Sequence, residues 1–298
     1  MTLKLGIIGL SPGNGHPYSW SAICNGYDHT AMLECGFPAI PAYLKEQTWP
    51  DARLPGAQVT HVWTQVETES HKIALAAKVG TVVKAPEDMI GHIDALLLAR
   101  DDAQNHLHFA EPFLRAGLPV YIDKPVALTE AAFAALYDLQ CRDGQIFSCS
   151  ALRFSPDLRL DPATAENVGP IRLVQATTPK YWDTYAIHLI DPLLEMLGYE
   201  EKPVKLFGGP VGTDGRLLGL RWRDRGLDVH LTASGSIPSP IQFRVIGERG
   251  EVTLTFRDSF TAFKTALQEF VVGVEEGGSR LPVEFNRRAV QIIEMGSK

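Results

Sequence analysis

Through its first 150 residues the chain alternates short apolar runs with segments of helical spacing, and this alternation restricts its fold more than any other feature. Leu3–Leu10, Val59–Gln65, Asp94–Leu98, Pro119–Ile122 and Gln145–Ser150 read as buried strands. Helical stretches lie around Tyr18–Asn25, over Glu69–Val79 (Ile73, Ala76 and Ala77 on one side), over His106–Ala116 and over Thr129–Cys141. Thr129 can cap the last of these, and Phe133, Leu136, Tyr137 and Leu139 supply its apolar side. Strands linked through helices pair in parallel, which predicts a parallel sheet with helices on both faces.

After about residue 150 the pattern changes. One helix, Asp183–Leu197, is followed by strands Val204–Gly208, Leu217–Trp222, Leu227–Ala233, Ile241–Ile246 and Val252–Phe256. The turns between them carry Gly and Asp, as in Gly212-Thr213-Asp214-Gly215 and Asp224-Arg225-Gly226. This predicts an antiparallel meander with Ile171–Thr178 as an additional strand, and a domain boundary near Ala151–Ser155. An open sheet must cover its second face, so a homo-oligomer (dimer or tetramer) through this sheet is expected.

Composition removes several classes. With 28 basic and 35 acidic residues the net charge is −7, which argues against a nucleic-acid footprint. No run approaches the roughly 18 apolar residues that would cross a bilayer. The four cysteines (Cys24, Cys35, Cys141, Cys149) lack CxxC spacing, so neither a disulfide frame nor a zinc site is expected. Met1 to Gly6 reads as the start of a strand and not as a secretory leader. A cytoplasmic two-domain enzyme is the expectation.

Gly9-Leu10-Ser11-Pro12-Gly13-Asn14-Gly15 follows the first strand, where a dinucleotide fold places its phosphate loop. Glycine suits that place because a side chain would keep backbone N–H groups from a pyrophosphate. Gly9, Ser11, Gly13, Asn14 and Gly15 are therefore candidate cofactor contacts, although the spacing is looser than G-x-G-x-x-G and also fits a plain turn. The second strand ends His61-Val62-Trp63-Thr64-Gln65 with no acid to hold ribose hydroxyls; Glu67 is the nearest. Thr64 and Gln65 are left to flank the adenosine half. The insertion Asp28–Pro55, rich in proline and aromatic residues, reads equally as a lid or an oligomer contact. His106 and His108 stand two apart in a helix and diverge, so no metal site is expected there despite Asp101 and Asp102.

The segment Tyr121-Ile122-Asp123-Lys124-Pro125-Val126-Ala127-Leu128 follows a strand and precedes a capped helix. It resembles the E-K-P motif of the glucose–fructose oxidoreductase / inositol dehydrogenase / rhizopine-catabolism (Gfo/Idh/MocA) family. Leu96–Asp101, His106 and Ala116-Gly117-Leu118-Pro119-Val120 resemble that family's preceding block, and Tyr181–Gly198 resembles its D-x-x-x-H helix with His188 at the histidine position. Phe154-Ser155-Pro156, Val168-Gly169-Pro170-Ile171 and Gly247–Val252 fall at similar turns, so the likeness runs over essentially the whole chain. The resemblance implies an α/β protein: a Rossmann dinucleotide-binding domain at 1–150, then an α+β domain at 151–298 with a large, mostly antiparallel open sheet.

It also implies NAD or NADP as cofactor, with Ala99, Arg100, Asp101, His106, Asp123 and Lys124 beside it. Lys124 would lie between nicotinamide and substrate, its backbone aimed by Pro125, commonly through a cis bond. A lysine in a partly dry cleft is poised to move a proton, and it can hydrogen-bond an alkoxide or carbonyl. The bland alternative is a surface lysine in a turn. His188 shares a helix face with Thr184 and Asp191. The family's aspartate is replaced by Thr184, with Asp183 displaced by one, so a Lys–Asp–His relay is in question. His188 is either an acid/base near its ordinary pKa of about 6.5 or a buried structural histidine. Tyr181, Trp182 and Tyr185 suit an aromatic wall for a sugar ring, although aromatic residues at such spacing are more often core. Arg153 suits a substrate hydroxyl or carboxylate, or a domain-interface ion pair. The leading expectation is an NAD(P)-dependent oxidoreductase acting on a sugar, polyol or related small molecule. Its rivals are a non-catalytic cofactor-binding sensor or assembly subunit and an NAD-using lyase or glycosidase-like enzyme.

Overall fold

The computed structural model describes residues 2–298, so Met1 of the expected first strand lies outside the described residues. Contacts divide the chain into two compact units. One comprises the chain up to Val126, Ala134–Ser148 and Phe263–Leu281; the other comprises Ala127–Phe133, Cys149–Ala262 and Pro282–Lys298. The division thus falls near residue 150 but also returns a late segment to the first unit.

In chain order the elements of the first half are β1 (Leu3–Gly9), α1 (His16–Asn25), α2 (His29–Leu33), α3 (Ala39–Leu44), β2 (Ala57–Thr64), α4 (Glu67–Ala76), β3 (Thr81–Val82), β4 (Ala95–Leu98), α5 (His106–Arg115), β5 (Val120–Ile122), α6 (Glu130–Tyr137) and β6 (Ile146–Phe147). All six strands pair in parallel, in the order β3-β2-β1-β4-β5-β6. β1 and β4 are almost wholly buried, which explains their unbroken apolar sequence. α1 is buried along most of its length and stops at Gly26, whose φ of 80° a residue with a Cβ rarely adopts. α6 and β6 are shorter than their sequence expectation. Past Tyr137 the Gln145 side chain accepts from the Cys141 and Arg142 amides, giving the chain a tight turn in place of another helical one.

The second half adds α7 (Pro162–Val168), β7 (Ile171–Thr178), α8 (Trp182–Tyr185), α9 (Ile187–Leu197), β8 (Val204–Val211), β9 (Gly215–Trp222), β10 (Leu227–Ala233), β11 (Gln242–Gly247), β12 (Glu251–Thr255), α10 (Ser259–Glu276) and α11 (Val283–Ser297). Its sheet runs β12-β11-β7-β10-β9-β8. Every neighbouring pair is antiparallel except β7 with β10, so the sheet is mixed and mostly antiparallel. β7 is therefore not an addition to a meander but the strand that joins two hairpin systems. One sheet face buries Val174, Leu220, Val229, Leu231, Phe243 and Val245 with Ile190 and Leu193 of α9 and Ile292 and Ile293 of α11. The opposite face carries the cross-strand pairs Arg221–Asp228 (2.6 Å) and Arg244–Glu251 (2.5 Å), and with them the exposed Phe207 ring edge-on to His230. That is the face on which self-association was expected.

Among the described residues no helix is long and apolar enough to cross a membrane, and no group of His, Cys, Asp and Glu could hold a metal ion.

Candidate active site

The first unit's strand order reverses direction between β1 and β4, and in such sheets the crevice beyond the carboxyl ends at that point is where ligands bind. The segments leaving β1, β4 and β5 there carry Ser11, Asp101 and Lys124.

The loop after β1 divides its glycines between two tasks. A Cβ on Gly9 would stand 2.3 Å from Pro17, and one on Gly15 would stand 2.7 Å from both Phe37 and Ile40. These two are glycine because neighbours press on the backbone. The insertion supplies Phe37 and Ile40, and Tyr43 donates to Ser19 Oγ at 2.6 Å, so the insertion packs on α1 and the loop. Gly13 differs: it has φ +78° and open space where a Cβ would project. Its backbone is the part of the loop that a bound group can approach closely, and in this respect the loop fits a pyrophosphate.

Other loop groups are already engaged. The Leu10 amide donates to Gln65 Oε1 (3.0 Å), and the Leu10 carbonyl accepts from Gln65 Nε2 (2.6 Å) and Arg100 Nη1 (3.0 Å). Arg100 is held in turn by Asp102 at 2.6 Å. Burial raises the Asp102 pKa, but the hydrogen bonds from Arg100 and Asn105 outweigh it and hold the carboxyl low.

Lys124 is only 5% exposed, and the bond joining it to Pro125 is cis. Its Nζ lies 3.2 Å from Asp101 Oδ2, while Asp101 Oδ1 accepts from Ser11 Oγ at 2.5 Å and the Asp101 amide donates back to Ser11 Oγ at 3.1 Å. Behind the lysine, Asp123 is buried and gathers Asn14 Nδ2 (2.8 Å), His16 Nδ1 (2.6 Å) and the Lys124 amide (2.8 Å). Burial alone would push the Asp123 pKa up. The charges of His16 and Lys124 and the hydrogen bonds from His16 and Asn14 prevail and hold it well below the usual carboxylate range. His16 is stacked on Trp20 (5.0 Å) and meets Phe263 edge-on (5.0 Å). Two loop residues, Ser11 and Asn14, thus reach the two carboxylates that flank Lys124.

The second unit holds a separate buried cluster. His188, 7% exposed on α9, has Nδ1 2.8 Å from Ser150 Oγ. The Ser150 amide donates to Asp191 Oδ2 (2.5 Å), and Ser150 Oγ accepts from the Leu152 amide (3.2 Å). Burial raises the Asp191 pKa to about 7, against the Arg153 charge and the Ser150 amide. Arg153 pairs with Glu195 (2.5 Å) and lies over the Phe285 ring (4.0 Å). Tyr185 meets His188 edge-on at 4.9 Å and accepts from Lys180 Nζ at 2.5 Å.

Several expected site residues are committed elsewhere. Thr64 is buried, its hydroxyl donating to the Val66 carbonyl (2.7 Å) beside Ser70 (2.9 Å), so it caps the turn into α4. Trp182 is core: its Nε1 donates to the Ile293 carbonyl (2.9 Å), and a Cβ on Gly296 would stand 2.0 Å from its ring. No aromatic wall can include it. His106 sits between the Arg100 (2.7 Å) and Val126 (3.1 Å) carbonyls, where it fastens the segment after β4. Ala99 is buried and its amide donates to the Ile8 carbonyl (2.8 Å), continuing the β1–β4 pairing. The helix expected over Asp183–Leu197 is two helices, α8 and α9, joined at Ala186. Thr184 lies in α8, and Asp183 accepts from Ser297 Oγ (3.2 Å) instead of facing His188. Tyr181 is 55% exposed.

Sequence reasoning passed over His16 and Ser150. The one signal for His16 is its place directly after the glycine loop. For Ser150 it is its place at the end of the last expected strand of the first domain.

Residues 36–150 match the model of GFO_IDH_MocA, an oxidoreductase family with an NAD-binding Rossmann fold. The match begins after the glycine loop, the segment whose spacing departs most from the standard pattern. No curated protein sequence matches the chain. Among solved structures, myo-inositol 2-dehydrogenase from Lactobacillus plantarum is similar at TM-score 0.73 and 16% identity, over 99% of this chain and 96% of that one. Myo-inositol dehydrogenase from Lactobacillus casei, solved with NAD(H) and myo-inositol, is similar at TM-score 0.73 and 15% identity over 100% and 94%. A myo-inositol dehydrogenase from Corynebacterium glutamicum gives TM-score 0.71 at 13% identity over 100% and 97%. At such identities the likeness establishes the fold. Residues 36–150, with the Asp123-Lys124-Pro125 segment inside them, are thus similar to the GFO_IDH_MocA oxidoreductase family and its NAD-binding Rossmann fold.

Proposed function

We propose that the protein is a nicotinamide-dependent dehydrogenase that oxidises a hydroxyl group of a sugar or polyol, a cyclitol such as inositol being the first substrate to test. The observation that carries this reading is the buried Lys124 at the end of β5, faced by the Asp101 carboxylate and anchored through its own amide on Asp123. A lysine this dry, beside a carboxylate, can as the neutral amine take a proton from a substrate hydroxyl and as the ammonium return it. Nicotinamide, when bound, supplies the hydride acceptor. The open backbone at Gly13 would hold the pyrophosphate, and Gln65, the exposed polar side chain closing the loop, would border the adenosine half. The absence of a carboxylate at the end of β2 leaves nothing there to repel a 2′-phosphate, so both NAD and NADP belong in the test.

His188 is the second candidate proton carrier, fixed by Ser150 and buried enough to exclude bulk water. Tyr185, edge-on to His188 and bonded to Lys180, is a candidate substrate contact. Arg153 pairs with Glu195 through Nη2 and lies over Phe285, while its buried Nε and Nη1 have no hydrogen-bond partner among the described residues, so it stays a candidate substrate contact.

The test is titration with NAD, NADH, NADP and NADPH, then turnover over a panel of inositols, hexoses and linear polyols. Reduced nicotinamide formed with at least one polyol is the expected result. Failure of all four dinucleotides to bind would remove the proposal. Tight cofactor binding with product but no net reduced nicotinamide would favour the lyase-like rival.

A further inference from the structure

We propose that Asp101 is the positioning carboxylate of Lys124, held in place by Ser11 of the glycine loop. This inference rests on the reading of Lys124 as the proton-transferring group.

Two observations carry it. Lys124 Nζ and Asp101 Oδ2 lie 3.2 Å apart, with the side chains 6% and 15% exposed, so solvent screens the pair far less than it would a surface pair. The other oxygen of Asp101 accepts from Ser11 Oγ at 2.5 Å, and the Asp101 amide donates to that same hydroxyl at 3.1 Å. A carboxylate bound through both its side chain and its own amide has little freedom to turn away. Within its own unit, Lys124 finds the opposite charge on the segment after β4.

Within the first unit, the other charged groups near this pair have partners of their own. Asp123, next in the chain, directs both oxygens to Asn14, His16 and the Lys124 amide. Its carboxylate charge also reaches Lys124. His16 on α1 compensates Asp123 at 2.6 Å. Asp102 is occupied by Arg100 at 2.6 Å. Within the first unit, Asp101 thus directs a carboxylate oxygen at the ammonium. Bound nicotinamide would supply the acceptor for the hydride, with its electron pair, that leaves the carbinol carbon, and the hydroxyl proton would pass to the neutral Lys124 amine. The ammonium so formed is stabilised by Asp101; in reduction the same proton returns to the carbonyl oxygen. The carboxylate thus makes Lys124 a stronger base and fixes its Nζ.

The experiment is a pH titration of the Lys124 side chain by NMR in protein labelled with carbon-13 at lysine. The resonance is assigned by its disappearance in Lys124→Ala. Asp101→Asn is expected to lower the titration midpoint by at least one pH unit, tenfold in proton affinity. Ser11→Ala should lower it by less, and Asp101→Glu should restore most of the shift. In turnover, Asp101→Asn should lower kcat more than it raises KM. A midpoint in Asp101→Asn within a few tenths of a unit of wild type overturns the inference. Should that variant fail to fold, an unmoved midpoint in Ser11→Ala overturns it instead. Because the titration needs no substrate, failure of the dehydrogenase reading would show separately, as absent turnover in a wild type whose Lys124 still responds to Asp101.

Discussion

Ser150 Oγ lies 2.8 Å from His188 Nδ1 while also accepting from the Leu152 amide at 3.2 Å. The hydroxyl keeps its hydrogen and a second lone pair, so it serves Nδ1 as donor or acceptor and in either case holds the ring through that nitrogen. Ser150→Ala should therefore change the His188 nitrogen-15 signals and lower kcat about tenfold, with a stability loss of about 1 kcal/mol. Unchanged nitrogen shifts would separate Ser150 from His188.

Asp191 should make folding sensitive to pH in a definite direction. Burial raises its folded pKa to about 7, from an unfolded value of about 4. Between those values the folded protein keeps a proton that the unfolded chain has released, so folding takes up a proton and the stability owed to this group falls as pH rises through the window. Asp191→Asn keeps an acceptor for the Ser150 amide without the buried charge. Its stability relative to wild type should rise from pH 5 to pH 8 in paired thermal melts. A constant difference across that range would contradict the assignment.

Gly13 and Gly15 should separate binding from folding. Gly13→Ala meets open space and costs only its φ of +78°, about 1 kcal/mol, while placing a methyl where the loop backbone is approached. It should weaken dinucleotide affinity at least tenfold with a small change in Tm. Gly15→Ala drives a methyl to within 2.7 Å of Phe37 and Ile40 and should cost about 1–3 kcal/mol, seen as a Tm loss of several degrees. Equal effects of the two on binding and on Tm would refute this division of labour.

How much could be read in advance differs by element. β1 and β4 were legible because strands buried on both faces are unbroken apolar runs, and Lys124 because its strand–turn–helix setting is local. The parallel pairing of β7 with β10 was not, since it depends on strands about 50 residues apart and each strand alone looks the same either way. α10 and α11 were missed, though Phe263, Leu267, Phe270 and Val271 repeat at helical spacing there. Trp182 was misplaced because spacing alone does not say which side of a short helix meets the core; Gly296 makes the room for it. Ser150 stayed hidden because its meaning arises only when α9 brings His188 beside it.

The central claim is that Lys124 moves the proton in a nicotinamide-dependent oxidation. The most direct measurement is a comparison of wild type with Lys124→Ala, reading dinucleotide affinity and polyol turnover on the same preparation. The account predicts affinity within about threefold of wild type and kcat lower by about 100-fold or more, the range for loss of a general acid–base group. Wild-type turnover in Lys124→Ala, with cofactor still bound, would contradict it.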